Sequence, residues 1–192
     1  IIFMIQNGVD EFIEIGPGKG ALTQFLISVK ADIKLIEIDA DAIDLLKNQF
    51  SNIEIIHADF LKLDLNSIPW KKYSIIGNFP YNISTQILFK ILEHRDSIQE
   101  VVGMFQKEVA ERICSEKKSK KYGIPSVLIQ AFFKCDKLLD LNENEFNPPP
   151  KVKSSVIKLT RNNVRDLGCD YNKFVEIVKR SFSQRRKKIK NA

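Results

Sequence analysis

The sequence lacks the features that indicate a membrane, secreted or metal-binding protein. Its apolar runs are short and interrupted by charge, so no segment is long enough to span a membrane as a helix. The opening IIFMIQNGVDEF has no basic leader and no small-residue cleavage site, so we expect no secretory signal. The three cysteines, Cys114, Cys135 and Cys169, are widely spaced without a C-x-x-C pair, and the two histidines lie far from them. We therefore expect reduced thiols, a cytoplasmic location and no metal site.

Acidic residues are scarce near the C-terminus. The net charge is +6 and the pI is about 9.1, a balance that favours a polyanionic partner. The segment KRSFSQRRKKIKNA at 179–192 contains no acid. A solvated tail is the alternative, but we favour contact with phosphates. The candidate contacts are Arg185, Arg186, Lys187 and Lys188 in this tail, and Lys117, Lys118, Lys120 and Lys121 in the loop KKSKKYG.

Apolar runs and helical patterns alternate over most of the chain. Strands are predicted at 11–15, 33–38, 53–58, 73–78 and 100–106, with helices at 21–29, 41–50, 84–94 and 107–116. This alternation predicts an α/β fold with an open, mostly parallel sheet and helices on both faces. Further elements are predicted as a helix over 124–133, a strand within 146–160 and a helix over 171–189. We expect Ser84 to cap the helix that it begins.

The stretch EIGPGKGA at 14–21 lies between the first strand and the first helix. Gly16 permits a tight turn, and Gly18 allows the backbone to approach a ligand closely. Ala21 completes the pattern G-x-G-x-x-A, which is typical of nucleotide-binding turns. A tight turn without a ligand is the alternative.

Two carboxylates follow the next two strands. Glu37, at the end of the second strand, can accept hydrogen bonds from ribose hydroxyls, and Asp59 can accept one from an adenine amino group. The alternatives are a solvated strand end for Glu37 and an ordinary turn for Asp59. The set suits a nicotinamide dinucleotide or S-adenosylmethionine, but a dinucleotide needs a second mononucleotide half.

The stretch GNFPYNIST at 77–85 follows the fourth strand and favours a methyl acceptor. The lone pair of a nucleobase amino group is delocalised, so two hydrogen-bond acceptors would help the amine to attack. The Asn78 side-chain oxygen and the Phe79 carbonyl are the candidates, and Pro80 restricts the conformation of Phe79. Tyr81 offers a face on which the base can stack. The Phe79 ring either packs inward or lines the pocket.

Eight motifs in order resemble the ribosomal RNA adenine dimethyltransferases, from about residue 9 to residue 190. They are EIGPGKGALT, IEID, HADFLKLD, IGNFPYNIST, MFQKEVAERI, YGIPSVLIQAFF, FNPPPKVKSSVIKL and FSQRRKKIKN. The fifth and seventh resemble the small-subunit enzyme more than the large-subunit enzyme. The resemblance implies transfer of methyl groups from S-adenosylmethionine to N6 of two adjacent adenines in small-subunit ribosomal RNA.

The resemblance also implies a Rossmann-like methyltransferase domain over 1–161 and the start of a small helical RNA-docking domain over 162–192. Compared with the family pattern, we expect the sequence to lack an N-terminal segment and to stop within the second domain. The implied cofactor contacts are Gly16, Gly18, Glu37, Asp59 and Asn78. The implied catalytic set is Asn78, Phe79, Pro80 and Tyr81, with Tyr81 and Phe146 as walls for the base.

The expected partner is the small ribosomal subunit, bound by a monomer without metal. Three alternatives remain open from the sequence: a large-subunit methyltransferase, a non-catalytic RNA-binding or ribosome-assembly factor, and an NAD-type oxidoreductase. The last depends only on Gly16, Gly18 and Ala21.

Overall fold

A seven-stranded sheet forms the centre of the protein. The computed structural model describes residues 10–29, 31–146, 149–150 and 152–183. The strands are β1 (Glu11–Ile15), β2 (Asp32–Glu37), β3 (Glu54–His57), β4 (Tyr73–Asn78), β5 (Ile98–Gln106), β6 (Phe133–Leu141) and β7 (Ser154–Arg161). Their order across the sheet is β3-β2-β1-β4-β5-β7-β6.

The direction of the strands places one crevice at one edge of the sheet. Strands β1 to β5 pair in parallel, whereas β7 is antiparallel to both β5 and β6. The carboxyl ends of the parallel strands therefore meet at the same edge. The strand order reverses between β1 and β4, and ligands of open α/β sheets bind outside the strand ends at such a point.

Six helices accompany the sheet in the described ranges. They are α1 (Thr23–Leu26), α2 (Ala40–Gln49), α3 (Ser84–Glu93), α4 (Lys107–Ile113), α5 (Ile124–Gln130) and α6 (Tyr171–Ser183). Asp39 caps α2, since its side chain accepts from the Asp41 amide at 3.0 Å. Among the described residues, no helix combines the length and apolar character needed to cross a membrane.

Apolar residues cover both faces of the sheet, because successive side chains of a strand point to opposite sides. Ile75, Val101 and Ile157 belong to the larger core cluster. Their neighbours Ile76 and Val102 belong to the smaller cluster, which includes Leu26 of α1. The larger cluster also holds Val178 of α6 and so joins this helix to the rest of the protein.

The predicted α/β class is confirmed, and the errors are local. The helix predicted over 21–29 is only Thr23–Leu26, and that predicted over 124–133 ends at Gln130. Strand β6 was not predicted, because this edge strand is mostly exposed and shows no apolar alternation. The predicted cap was also wrong: Ile83 precedes α3, and the Ser84 hydroxyl donates to the Tyr81 carbonyl at 3.2 Å.

Two features near the C-terminus stay predictions. Residues 162–170 contain no helix or strand, and the division of the chain at residue 161 stays a prediction. Residues 184–189 of the helix predicted over 171–189 lie outside the described residues.

The Phe79 ring occupies a slot in the sheet that two glycines create. Gly77 of β4 and Gly103 of β5 are register partners. A methyl group on Gly77 would lie 2.7 Å from the Phe79 ring, and one on Gly103 would overlap it. The ring is 1% exposed and meets Phe105 edge to face at 5.1 Å. The ring therefore packs inward, which answers the question that the sequence left open.

We predict that Gly103→Ala lowers the free energy of unfolding by about 1–3 kcal/mol, because the new methyl group must displace a buried ring. Urea unfolding measures this loss. Gly123→Ala is the matched control, since its added methyl group would meet no atom closer than 3.9 Å. Equal stability of the two variants would contradict the packing of the Phe79 ring against Gly103.

Candidate active site

The glycine turn between β1 and α1 exposes its backbone to the crevice. Gly16 has φ of +64° and Gly18 has φ of +55°, in the left-handed region that favours glycine. A side chain at either position would point into open space, with no atom within 4 Å. The Gly16 amide donates to the Ile36 carbonyl at 3.0 Å and so ties the turn to β2. The open space in front of the turn fits a ligand that approaches the backbone.

Glu37 holds the turn from the end of β2. One carboxylate oxygen accepts from the Gly18 amide at 3.0 Å, and the other accepts from the amides of Ile38 and Asp39 at 2.8 and 3.0 Å. Glu37 is 7% exposed, so it is not a solvated strand end. A carboxylate has about four lone-pair sites, which leaves capacity for a further donor.

Asp59 follows β3; one of its carboxylate oxygens stabilises a turn, and the other is accessible. Its Oδ1 accepts from the Leu61 amide at 2.9 Å, as in an ordinary turn. Its Oδ2 lies 3.8 Å from the Lys62 ammonium, and the side chain is 29% exposed. The Ala58 amide donates to the Glu37 carbonyl at 2.9 Å. The two carboxylates therefore follow neighbouring, hydrogen-bonded strand ends.

Two adjoining cavities lie at the carboxyl edge of the sheet. The first, here the turn cavity, measures about 480 Å³ and lies between the glycine turn and strands β4 and β5. The second, here the hook cavity, measures about 260 Å³ and is lined by Asn78, Phe79, Pro80, Tyr81, Met104, Phe146 and Pro150. Asn78 and Met104 line both cavities. They are register partners at the ends of β4 and β5, which explains why they form the boundary.

Residues 78–81 form the segment called the hook here, and contacts hold it at both ends. Asn78 is exposed at the end of β4, while the buried Phe79 ring anchors the backbone behind it. The Ile83 amide donates to the Pro80 carbonyl at 3.1 Å and closes the turn. The Tyr81 hydroxyl shares a hydrogen bond of 2.5 Å with the Ser154 hydroxyl. The sequence analysis missed Ser154, since its contact with Tyr81 depends on the tertiary fold.

Phe146 lies in the hook cavity rather than in the core beneath the loop. It is half-buried and lines the cavity together with Tyr81. The two aromatic residues are distant in the sequence, and the structure brings them to one cavity. The arrangement is suited to a planar ligand between two rings.

Comparison with known proteins adds a family to this geometry. The family model described as "Ribosomal RNA adenine dimethylase" matches residues 7–192. The chain belongs to this family. A ribosomal RNA small subunit methyltransferase A from Cytophaga hutchinsonii is 52% identical over 98% of this chain and 74% of its own length. Another from Flavobacterium johnsoniae is 50% identical over 97% of this chain and 72% of its own length.

Solved structures agree with the family assignment. A dimethyladenosine transferase from Plasmodium falciparum superposes with a TM-score of 0.85 at 30% identity, over 97% of this chain and 68% of that one. A 23S rRNA methyltransferase superposes with a TM-score of 0.77 at 24% identity, over 98% of this chain and 76% of that one. At that identity the second likeness shows the fold alone.

In this adenine dimethylase the predicted phosphate contacts are not gathered at the two cavities. Lys117 and Lys118 are exposed, and Lys121 pairs with Glu111 at 2.5 Å, which lowers the pKa of that carboxyl. Lys120 and Lys121 line a separate cavity of about 550 Å³ with Phe182 of α6. Arg185, Arg186, Lys187 and Lys188 lie outside the described residues.

No metal-binding group accompanies the site in the parts of the chain that the structure describes. Within those ranges, the His, Cys, Asp and Glu side chains form no group of three or more that could hold a metal ion.

Glu14 is a buried acid of the turn cavity that the sequence analysis missed. Its pKa is raised to about 7, mainly by burial and also by the nearby charge of Glu37, while a hydrogen bond from Thr23 opposes the rise. The Thr23 hydroxyl donates to the carboxylate at 2.7 Å. The signal in the sequence was a carboxylate inside the apolar strand EFIEI, directly before the glycine turn.

We predict that Glu14→Gln stabilises the protein at alkaline pH but not at acidic pH. Below pH 4.5 the carboxyl is protonated in both folded and unfolded wild type, so the variant gains nothing. As the pH rises from 4.5 to about 7, the unfolded chain ionises first, and wild type loses stability. The advantage of the variant should reach on the order of 1–3 kcal/mol above pH 7.

Urea unfolding of wild type and variant at pH 4 and pH 8 measures this difference. Thr23→Val is the opposing variant, since it removes the hydrogen bond that favours the ionised carboxylate. Its stability should fall further than that of wild type between the two pH values. A Glu14→Gln advantage that is independent of pH would contradict the prediction.

Proposed function

We propose that this chain transfers methyl groups from S-adenosylmethionine to N6 of two adjacent adenines in small-subunit ribosomal RNA, which yields N6,N6-dimethyladenine. The observation that carries the proposal is the boundary between the two cavities at Asn78 and Met104. A donor in the turn cavity and a base in the hook cavity would meet there. The family and the small-subunit relatives at about half identity support this substrate over a large-subunit one.

The turn cavity and the neighbouring strand ends fit the cofactor. Gly16 and Gly18 line the turn cavity and leave room at the backbone. Glu37 and Asp59 lie outside the lining of this cavity, where Glu37 retains capacity for ribose hydroxyls and Asp59 Oδ2 can accept from an adenine amino group. When bound, S-adenosylmethionine supplies an electrophilic methyl group on a sulfonium. The residues of the chain would position that methyl group next to Asn78.

The hook prepares the acceptor. The Asn78 side-chain oxygen and the Phe79 carbonyl accept hydrogen bonds from the adenine amino group, and this favours the pyramidal form that attacks. Both acceptors are pre-positioned, because the Phe79 ring is fixed in the core and Pro80 restricts the residue before it. A methylated, cationic amine loses its proton readily to water. Catalysis therefore depends on positioning and electrostatics rather than on a general base.

Tyr81 and Phe146 would hold the adenine ring between them in the hook cavity. Stacking on an aromatic side chain contributes roughly 1–3 kcal/mol per base. A base inside a helix cannot reach this cavity, so the target must be extruded or lie in a single-stranded loop. Ribosomal RNA as the substrate agrees with the cytoplasmic location that the sequence predicts.

Basic residues away from the cavities would contact the RNA backbone. We assign catalysis to residues 1–161 and RNA docking in part to the segment 162–192. The apolar side of α6 packs on the larger core cluster, whereas Lys173, Lys179 and Arg180 are exposed. The exposed loop 117–121 adds further positive charge. Such contacts position RNA without reading its sequence.

We predict that Asn78→Ala lowers methyl transfer by about 100-fold or more, as the loss of a transition-state hydrogen bond does in other enzymes. Labelled methyl transfer to small subunits that lack the modification measures the rate. Mass analysis of the RNA product distinguishes mono- from dimethyladenine. Asn52→Ala, an exposed asparagine before β3, is the matched control and should keep the wild-type rate. Equal rates for both variants would exclude the proposed role of Asn78.

We predict that the double variant Lys117→Glu, Lys118→Glu weakens RNA binding at low salt with little sequence preference. Each lost phosphate contact should reduce the slope of log affinity against log salt by about 1. The control Lys47→Glu, Lys71→Glu changes the net charge equally at two other exposed positions. Binding curves over a salt series test this, and an unchanged slope in the loop variant would count against phosphate contact.

A further inference from the structure

The Tyr81 hydroxyl is tied to a buried serine on another strand. The two hydroxyl oxygens of Tyr81 and Ser154 lie 2.5 Å apart. Ser154 is 0% exposed and begins β7, 73 residues further along the chain. None of the catalysis described above uses this hydroxyl. It bonds instead to the tyrosine whose ring lines the hook cavity.

Ser154 is a rigid point in the fold. Strand β7 lies between β5 and β6, and Ser154 pairs with Gln106 on one side and Leu141 on the other. The backbone of the serine is therefore fixed by two neighbouring strands. A hydrogen bond to it fixes the far end of the Tyr81 side chain relative to the sheet.

The neighbouring residue strengthens this junction. The Ser155 hydroxyl donates to Asp140 Oδ1 of β6 at 2.6 Å, and the Lys107 ammonium lies 2.8 Å from Asp140 Oδ2. These contacts link β6, β7 and the start of α4. They lower the pKa of Asp140 far below its usual value, with the hydrogen bond from Lys107 as the largest cause. The start of β7 is consequently braced from both sides.

The orientation of the ring matters because a stacked base is parallel to it. Tyr81 is half-buried, so packing leaves part of its ring open to the cavity. A swing of the side chain about its Cα–Cβ bond would shift the ring and move the adenine amino group away from Asn78 and the Phe79 carbonyl. A displacement of about 1 Å can cost about 100-fold in rate. A hydrogen bond at the hydroxyl, the far end of the side chain, opposes this swing while the face of the ring stays available.

We propose that Ser154 is a positioning residue, which holds the Tyr81 side chain in the position that presents the adenine amino group to its two acceptors. The inference rests on the proposed function, since it requires that Tyr81 stacks the base. Ser154 itself does not touch the substrate. Its loss should therefore affect the rate of the bound complex more than the binding of RNA or cofactor.

The test is a double-mutant cycle of Ser154→Ala and Tyr81→Phe in the 192-residue chain. Each single variant should lower kcat by about tenfold, the equivalent of one hydrogen bond, with KM for RNA nearly unchanged. The double variant should be no slower than either single one, because all three lack the same bond. Calorimetry should give the wild-type dissociation constant for S-adenosylmethionine.

Ser126→Ala is the matched control. Ser126 is also 0% exposed and donates to the Arg112 carbonyl of α4 at 2.5 Å, and neither residue lines the hook cavity. Its loss should lower the melting temperature without lowering kcat. Tyr81→Phe keeps the test valid if Ser154→Ala fails to fold, because it removes the same bond from the half-buried partner.

The outcomes distinguish a failure of the positioning role of Ser154 from a failure of the proposed methyl transfer. If Tyr81→Phe and Ser154→Ala keep the wild-type kcat while Tyr81→Ala is inactive, the positioning role of Ser154 is excluded. The stacking role of Tyr81 is then retained. Additive losses in the cycle would also exclude the positioning role of Ser154. If wild type transfers no methyl group, or if Tyr81→Ala keeps the wild-type rate, the proposed function fails and the inference fails with it.

Discussion

The packing of the Phe79 ring into the slot at Gly77 and Gly103 is the constraint on which the candidate site depends. These two glycines are register partners in β4 and β5. Because neither has a side chain, an aromatic ring can pack directly against the backbone of both strands. Burial of a phenylalanine contributes about 1.5–3 kcal/mol. Because Asn78 directly precedes this ring, the same packing turns the Asn78 side chain and the Phe79 carbonyl toward the crevice. The buried Phe79 ring thus fixes the positions of the Asn78 side-chain oxygen and the Phe79 carbonyl oxygen in the candidate site.

Two carboxylates near the glycine turn have different surroundings. Glu37 accepts three backbone hydrogen bonds, which hold the turn and the start of α2 in place. Glu14 accepts one hydrogen bond from Thr23 and is buried, so its pKa rises to about 7. The turn therefore lies beside an acid that titrates near neutral pH. The field at the turn cavity depends on pH through Glu14.

The sequence predicted the parts of the site that follow from local chemistry. The glycine turn, Glu37 and Asn78 lie at strand ends that apolar runs reveal, and the strands predicted at 11–15 and 73–78 have the observed bounds. Contacts between distant segments could not be predicted in this way. The direction of the Phe79 ring depends on Gly103, and the partner of Tyr81 is Ser154 on a strand whose neighbour β6 shows no strand pattern. Glu14 was overlooked because burial, not residue type, shifts its pKa.

The division of the sheet explains how one crevice holds two cavities. Strands β1 to β3 carry the glycine turn, Glu37 and Asp59, whereas β6 and β7 lead to Phe146 and Ser154. The pair β4 and β5 lies between them, and its last register partners, Asn78 and Met104, line both cavities. A change at Phe146 would alter the lining of the hook cavity alone, whereas a change at Leu141 or Val156 of the β6–β7 hairpin would alter the turn cavity. A change at Asn78 or Met104 would alter both sides at once, because no other pair of described residues lines the two cavities together.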